Sequence, residues 1–392
     1  MEKKIQPDWF SLSLVQRVID VLGPDNIRFV GGAVRDTLLG RAVEDIDAAC
    51  RHHPATTTGL LKRAGVKVIP TGIDHGTVTA VLDGQTIEIT TLRSDTETDG
   101  RHATVAFTDD WLEDAARRDF TFNALYLSSG GELYDPYGGV ADLKAGRVRF
   151  IGDAEMRIKE DALRIMRFFR FHAWYGTGPL DDAGLAASKH QIALLGSLSA
   201  ERVHAELLKM FSAPAPFLSI RSFAKIGGSE VLKLIAVNER QLEVYLSSEK
   251  EQGIAIDPLL RLACWVSLGS DKVNGFARRF RFSNKEKERL RAAAKGLEVA
   301  CPEDEREMRK LYYELGPDAA QVSIMTQPEA VGQGCFDVLN AWQIPTFPVK
   351  GGDLIARGAL AGPEISRKLE QLEALWIKSD FQLGKNDLLS RL

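Results

Sequence analysis

"RFVGGAVRDTLLGRAVEDIDAAC", Arg28–Cys50, is the stretch on which the reading of the fold turns. A short β-prone run, "NIRFV", meets a Gly-Gly bend, a basic turn and a second β-prone run, "EDIDAAC". On a strand, Asp45 and Asp47 share one face about 7 Å apart along the backbone, while Ile46 points to the core. Two such carboxylates can converge on two divalent ions about 4 Å apart, the spacing of two-metal phosphoryl transfer. Mg²⁺ suits them, because it takes few carboxylates and fills its shell with water and phosphate oxygens. Glu88, the one acid in the β-branched run "TIEITTL", is the candidate third ligand. An isolated Asp-x-Asp reads first as turn or strand-edge acids on a solvated face. The neighbourhood decides otherwise: Gly31-Gly32 can bring backbone N–H groups to a phosphate, and Arg35 follows one helical turn later. There is no GxxxxGK[ST] loop and no complete GxGxxG, so neither a P-loop nor a dinucleotide fingerprint explains the glycines.

Outward from this stretch, the first 150 residues read as mixed α/β. "SLSLVQRVIDVLG" is a helix ending at Gly23, and "TTTGLLKRAG" a helix ending at Gly65. "GTVTAVLDGQTIEITTL" reads as a hairpin through Asp83-Gly84, and "FNALYLSSGGELYDP" as a second through Gly130-Gly131. Residues 93–109, polar and containing Gly100, read as a mobile loop. From about residue 152 the apolar spacing becomes helical almost throughout, and Ser283 with Glu286 opens a capped helix that stops at Gly296.

The chain of 392 residues is long enough for two or three domains, with 44% hydrophobic and 27% charged residues. No apolar run reaches membrane-spanning length, and "MEKKIQPDWF" has no apolar segment after its lysines, so neither an anchor nor a secretory leader is expected. Four scattered cysteines without a CxxC argue for a reducing compartment, the cytoplasm. With a net charge of −4, any polyanion must be held by local patches. All seven histidines lie at or before His204, which excludes histidine-based chemistry confined to the second half.

"GGAVRDTLLGR…EDIDAA" resembles the signature of the class II tRNA nucleotidyltransferase and bacterial poly(A) polymerase family. "ARRDFTFNALYL", Ala116–Leu127, is similar to that family's next motif, and Glu160-Asp161-Ala162-Leu163-Arg164 to its Glu-Asp-x-x-Arg motif. The resemblance implies that Asp45 and Asp47 hold Mg²⁺. It implies that Gly32, Arg35 and Arg118 grip the triphosphate and sugar, and that Asp119 and Asn123 order the turn that selects a ribonucleotide. Asp161 and Arg164 would read the base edge, with Arg167 and Arg170 at further nucleotide-contacting positions. On a helix from Glu160, Asp161, Arg164, Arg167 and Arg170 recur every three residues opposite the stripe Ala162, Ile165, Met166 and Phe169, with Asp161 and Arg164 as surface neighbours. Glu201 and Arg202 would brace this helix, and "LYDPYGGVADL" would form a structural connection. Ala48-Ala49 departs from the larger or hydroxylated pair of many relatives.

The expected fold class is α+β. Residues 1–150 form a nucleotidyltransferase head with a small mixed sheet, 151–215 a helical base-recognition neck, and 216–392 a helical body and tail that binds RNA. The best basic patch is Lys272, Arg278, Arg279, Arg281, Lys285, Lys287, Arg289, Arg291 and Lys295. The expected activity is template-independent addition of C, C and A to the 3′ end of tRNA from CTP and ATP, by a Mg²⁺-dependent mechanism with no membrane or protein partner. The resemblance implies that the polar loop after Arg93, where the family's members switch the pocket from CTP to ATP, favours complete CCA addition. A poly(A) polymerase or A-adding member, and a non-catalytic RNA-binding protein, are the alternatives.

Overall fold

Asp83 and Gly84 both take positive φ, 50° and 77°, the geometry of a tight two-residue hairpin turn. They join Thr77–Leu82 to Gln85–Thr91 as predicted, with Leu82 facing Gln85 in register. The computed structural model describes residues 4–98, 103–234, 237–332, 334–358 and 362–392. Contacts divide the chain after Leu232 into two compact units.

The first unit begins with α1 (Ser13–Leu22), β1 (Ile27–Val30), α2 (Gly32–Leu38), β2 (Ile46–Cys50), α3 (Pro54–Arg63), β3 (Lys67–Gly72), β4 (Thr77–Leu82) and β5 (Gln85–Thr91). It continues through β6 (Arg93–Thr98), β7 (Ala103–Phe107), α4 (Trp111–Ala116), β8 (Tyr126–Ser128), β9 (Leu133–Tyr134) and α5 (Gly139–Lys144). The helices α6 (Ala154–Glu160), α7 (Leu163–Tyr175), α8 (Asp182–His190) and α9 (Ala200–Phe211) follow.

Seven strands form one mixed sheet in the order β3-β4-β5-β2-β1-β8-β9, in which only β2 and β5 run parallel. Leu14, Val15, Val18 and Leu22 recur on one side of α1 and are buried. Trp9 and Phe10 pack on Phe29 of β1, with ring centroids 4.9 and 5.5 Å away. A second buried cluster gathers Val30, Ala49, Leu92, Trp111, Tyr126 and Ile151. Both Ala48 and Ala49 are buried, so the small pair fits a strand covered on both faces.

Three local expectations change. Residues 93–109 are not simply a loop: β6 and β7 pair antiparallel from Arg93↔Phe107, as β-prone Thr and Val allow, while Gly100 lies outside the described residues. The helix predicted from Glu160 is broken at Asp161, whose extended backbone (φ −149°, ψ 106°) separates α6 from α7. Its carboxylate accepts from the Leu163 N–H at 3.0 Å, satisfying the first donor of the new helix, whose N-cap is Ala162. Gly296 does not end its helix, which runs Asn284–Glu298; a Cβ there would lie 2.3 Å from the Ala319 carbonyl, so the glycine lets two helices approach.

The second unit is helical. Ser283 and Glu286 make the predicted reciprocal cap. Arg261 and Glu249 form a fully buried ion pair (2.9 Å). Its last segment closes on Val349, Leu354, Leu372, Trp376 and Leu388. In the basic patch, Arg289 is committed to Asp257 and Asp318 (2.6 and 2.8 Å) and Arg291 to Asn274 (2.7 Å). Arg278, Arg279 and Lys285 are exposed.

Candidate active site

The Gly-Gly bend fixes the floor of the site. Gly31 has φ +70°, which a side chain would strain, and its N–H donates to the Leu125 carbonyl. A Cβ on Gly32 would meet only the Arg35 guanidinium at 3.7 Å. The protein leaves that approach open, as a phosphate oxygen would require.

Asp45 lies one residue before β2 rather than on it, and Asp47 sits on the strand opposite Val30. Both line one cavity of about 540 Å³, together with Gly32, Arg35, Arg41 and Trp174. A second cavity, about 380 Å³, is lined by Arg118, Asn123, Asp161, Arg164 and Arg167. Gly32, Arg35, Asp47 and Phe171 border both. Glu88 stands on β5 in register with Asp47 but is exposed. Among the described residues, no group of three or more His, Cys, Asp or Glu side chains gathers closely enough to hold a metal ion.

Burial pushes the Asp47 carboxyl up to about 6; Glu88 and Asp45 add to the shift, and Arg118 and Arg35 oppose it. A half-buried carboxylate whose charge is disfavoured beside two others gains from a divalent cation, so the donor set fits Mg²⁺.

The arginines are held by acids distant in sequence. Arg35, buried, donates through Nε and Nη2 to Asp36 (3.2 and 3.1 Å) and through Nη1 to the Asn123 side-chain oxygen (2.9 Å). Three of its five N–H groups are thereby spent, and two are left for a ligand. Asn123 donates to Asp119 Oδ1 (2.9 Å), and Asp119 Oδ2 accepts from Arg167 Nε (2.7 Å). Burial opposes ionisation of Asp119, but Arg167 and Asn123 hold its carboxyl below the usual range.

Arg118 donates to Tyr126 Oη (3.0 Å) and Asp114 Oδ2 (3.1 Å), and Tyr126 Oη donates to the same Asp114 oxygen (2.7 Å). Against burial, Arg118 and Arg117 bring Asp114 down to about 2.

Asp161 and Arg164 line the same cavity but do not pair as surface neighbours, because the break at Asp161 takes its side chain off the helix. Arg202 on α9 grips Asp161, while Arg164 binds Glu160 and donates to the carbonyls of Arg157 (3.0 Å) and Arg117 (2.9 Å). Arg170 pairs with Glu206 (3.0 Å). Leu163, Phe168 and Phe171 are buried besides the expected Ile165, Met166 and Phe169, so α7 is enclosed nearly all round and its arginines face acids rather than bulk water.

Phe171 was not singled out by sequence. Three guanidinium groups, those of Arg35, Arg167 and Arg170, lie 5.4, 5.2 and 4.1 Å from its ring. The alternation of Phe and Arg in "RFFRF" is the signal that could have found it.

Residues 27–149 match the poly A polymerase head domain. Over 375 residues the chain is 35% identical to the mitochondrial CCA tRNA nucleotidyltransferase 1 of Danio rerio, spanning 93% of this chain and 86% of that protein. It is 31% identical to the CCA-adding enzyme of Levilactobacillus brevis, over 88% of each. The crystal structure of the Bacillus stearothermophilus CCA-adding enzyme in complex with CTP superposes with a TM-score of 0.79 at 26% identity, covering 97% of this chain and 98% of that one. With motifs, sheet and near full-length identity in agreement, this chain belongs to the family of CCA-adding tRNA nucleotidyltransferases.

Proposed function

We propose that the protein adds C, C and A to the 3′ end of tRNA, consuming CTP and ATP and releasing pyrophosphate. The observation that carries this reading is the junction at Asp47, where a cavity bordered by Asp161 and Arg164 meets one bordered by Asp45 and Arg41. Asp45 and Asp47 would hold Mg²⁺, which when bound supplies Lewis acidity for in-line attack of the RNA 3′-hydroxyl on the α-phosphate. Gly32 offers backbone, and Arg35 and Arg118 offer charge, to the triphosphate and sugar. Asn123 keeps Arg35 aimed. Cytosine and adenine each present an amino donor beside a ring-nitrogen acceptor; Asp161 accepts the first and Arg164 donates to the second. Guanine and uracil present the reverse order and are refused. Arg167 borders the same cavity and Arg170 the adjoining one, where both would make further contacts to the nucleotide.

Among the described residues, no helix is long and apolar enough to cross a membrane. The four cysteines carry free thiols. They support a reducing compartment, and we place the protein in the cytoplasm.

The test is nucleotide-by-nucleotide product length on tRNA trimmed before its CCA end. CTP alone should add two residues, ATP alone none at that end, and the two together three. The match to a poly A polymerase head favours one second reading. Long A tails on unrelated RNA would establish it instead, and no incorporation under any condition would leave a non-catalytic RNA-binding protein.

A further inference from the structure

Of the two cavities that meet at Asp47, only one contains the base-edge pair Asp161 and Arg164. The other is walled by Trp174 and carries Arg41 and Lys209 at its rim. Trp174 is half-buried, and its ring is fixed in place: Nε1 donates to the Lys209 carbonyl at 2.7 Å, and its own carbonyl accepts from Arg41 at 3.2 Å. The neighbouring Tyr175 ring is already engaged by the Arg35 and Arg41 guanidinium groups, at 4.2 and 4.8 Å. Trp174 itself touches the Tyr175 ring, with centroids 6.5 Å apart, but among the described residues no guanidinium covers it, so its face is available to a ligand, with Lys209 and Arg41 exposed beside it.

Building on the proposed activity, the geometry points to Trp174 as the stacking platform for the 3′-terminal nucleoside of the RNA acceptor, with Lys209 and Arg41 meeting its phosphates. An acceptor end that is extended stepwise presents a different terminal base at each addition. A site for it must hold any base, which an aromatic face does because every base has a π-face, and which an Asp-Arg edge reader cannot do. Cations without base contacts add affinity independent of sequence. The arrangement also puts acceptor and nucleotide on either side of Asp47, as an in-line transfer requires. Trp174 and Lys209 are thus positioning residues for the acceptor, with no part in reading the incoming base.

The experiment compares wild type, Trp174→Ala, Trp174→Phe and Lys209→Ala. KM for trimmed tRNA, the dissociation constant for CTP alone, and nucleotide-free binding of a trimmed acceptor-stem minihelix are measured. Trp174→Ala should raise KM for tRNA and weaken minihelix binding roughly ten-fold, whatever the terminal base, while CTP binding stays within about two-fold. Trp174→Phe should restore most of the loss, and Lys209→Ala should weaken RNA binding and flatten its salt dependence. Unchanged RNA binding in Trp174→Ala, or a loss of CTP affinity as large as that of RNA affinity, would overturn the assignment. A wild-type protein that binds the minihelix but never extends it would overturn the proposed activity instead, and the binding difference alone would then decide the role of Trp174.

Discussion

Arg202 Nη2 lies 3.0 Å from Oδ1 and 2.8 Å from Oδ2 of Asp161, a residue forty-one positions earlier in the chain. The pair is partly exposed, so it adds at most about 1 kcal/mol to stability. Its consequence lies in aim. Replacing Arg202 with Ala should leave the melting temperature nearly unchanged and lower kcat/KM for CTP about ten-fold. UTP misincorporation should rise at the same time, because Asp161 is free to turn. Single-nucleotide incorporation with each of the four triphosphates measures this.

Asp47 is a carboxylate kept where its charge is disfavoured. Asp47→Asn should abolish incorporation yet leave tRNA binding intact. At neutral pH without divalent cations, it should raise unfolding free energy by about 1–2 kcal/mol, since the native state no longer carries that charge. Urea denaturation of both proteins, with and without Mg²⁺, is the check; equal turnover in the variant would remove Asp47 from the metal pair.

Asp114 predicts an acid limit to stability. Its folded value, about 2, lies below the unfolded value of 3.8. The native state therefore binds that proton less readily. The stabilisation is complete above about pH 4 and disappears as pH falls through 2, a loss of about 2 kcal/mol from this group. Asp114→Asn should cost about 3 kcal/mol at pH 7, because Arg117 and Arg118 lose a buried partner. The gap between variant and wild type should close toward pH 2 in parallel denaturation curves.

Gly139 gives a remote test of the floor of the site. A Cβ there would stand 2.3 Å from the Thr121 carbonyl, on the short turn Thr121–Asn123 that carries Asn123. Gly139→Ala should cost about 1–3 kcal/mol by overpacking. It should also reduce turnover, because displacing Asn123 loosens Arg35. Thermal melts read the first effect and CTP turnover the second.

The elements that position the site were largely legible, because each rests on a local signal. The Asp83-Gly84 turn, the Gly-Gly bend and the strand that carries Ile46 and Asp47 all express backbone geometry within a few residues, although Asp45 falls just before that strand. What sequence could not supply were partners distant along the chain. Arg167 finds Asp119 and Arg170 finds Glu206 only after folding, so a row of arginines that looked unbalanced is matched by acids from other segments. The break at Asp161 was hidden for a related reason: Glu160–Arg164 has helical composition, and the extended backbone at Asp161 is held by Arg202 from a distant helix and by the Leu163 N–H. Gly296 deceived in the opposite direction, since a helix-stop residue and a helix-packing residue look the same without the neighbour.

The bonded series Tyr175–Asp36–Arg35–Asn123–Asp119–Arg167 starts on α7, descends through the strand-bearing region and returns to α7. Severing the polypeptide near residue 150 would cut the two ties at the ends of this series, Tyr175–Asp36 and Arg167–Asp119, so neither piece alone should retain a formed nucleotide site. Recombination among relatives that exchanged only the first 150 residues would inherit mismatched fasteners, and because Arg202 and Glu206 hold Asp161 and Arg170, a block able to move as a working whole must extend through α9.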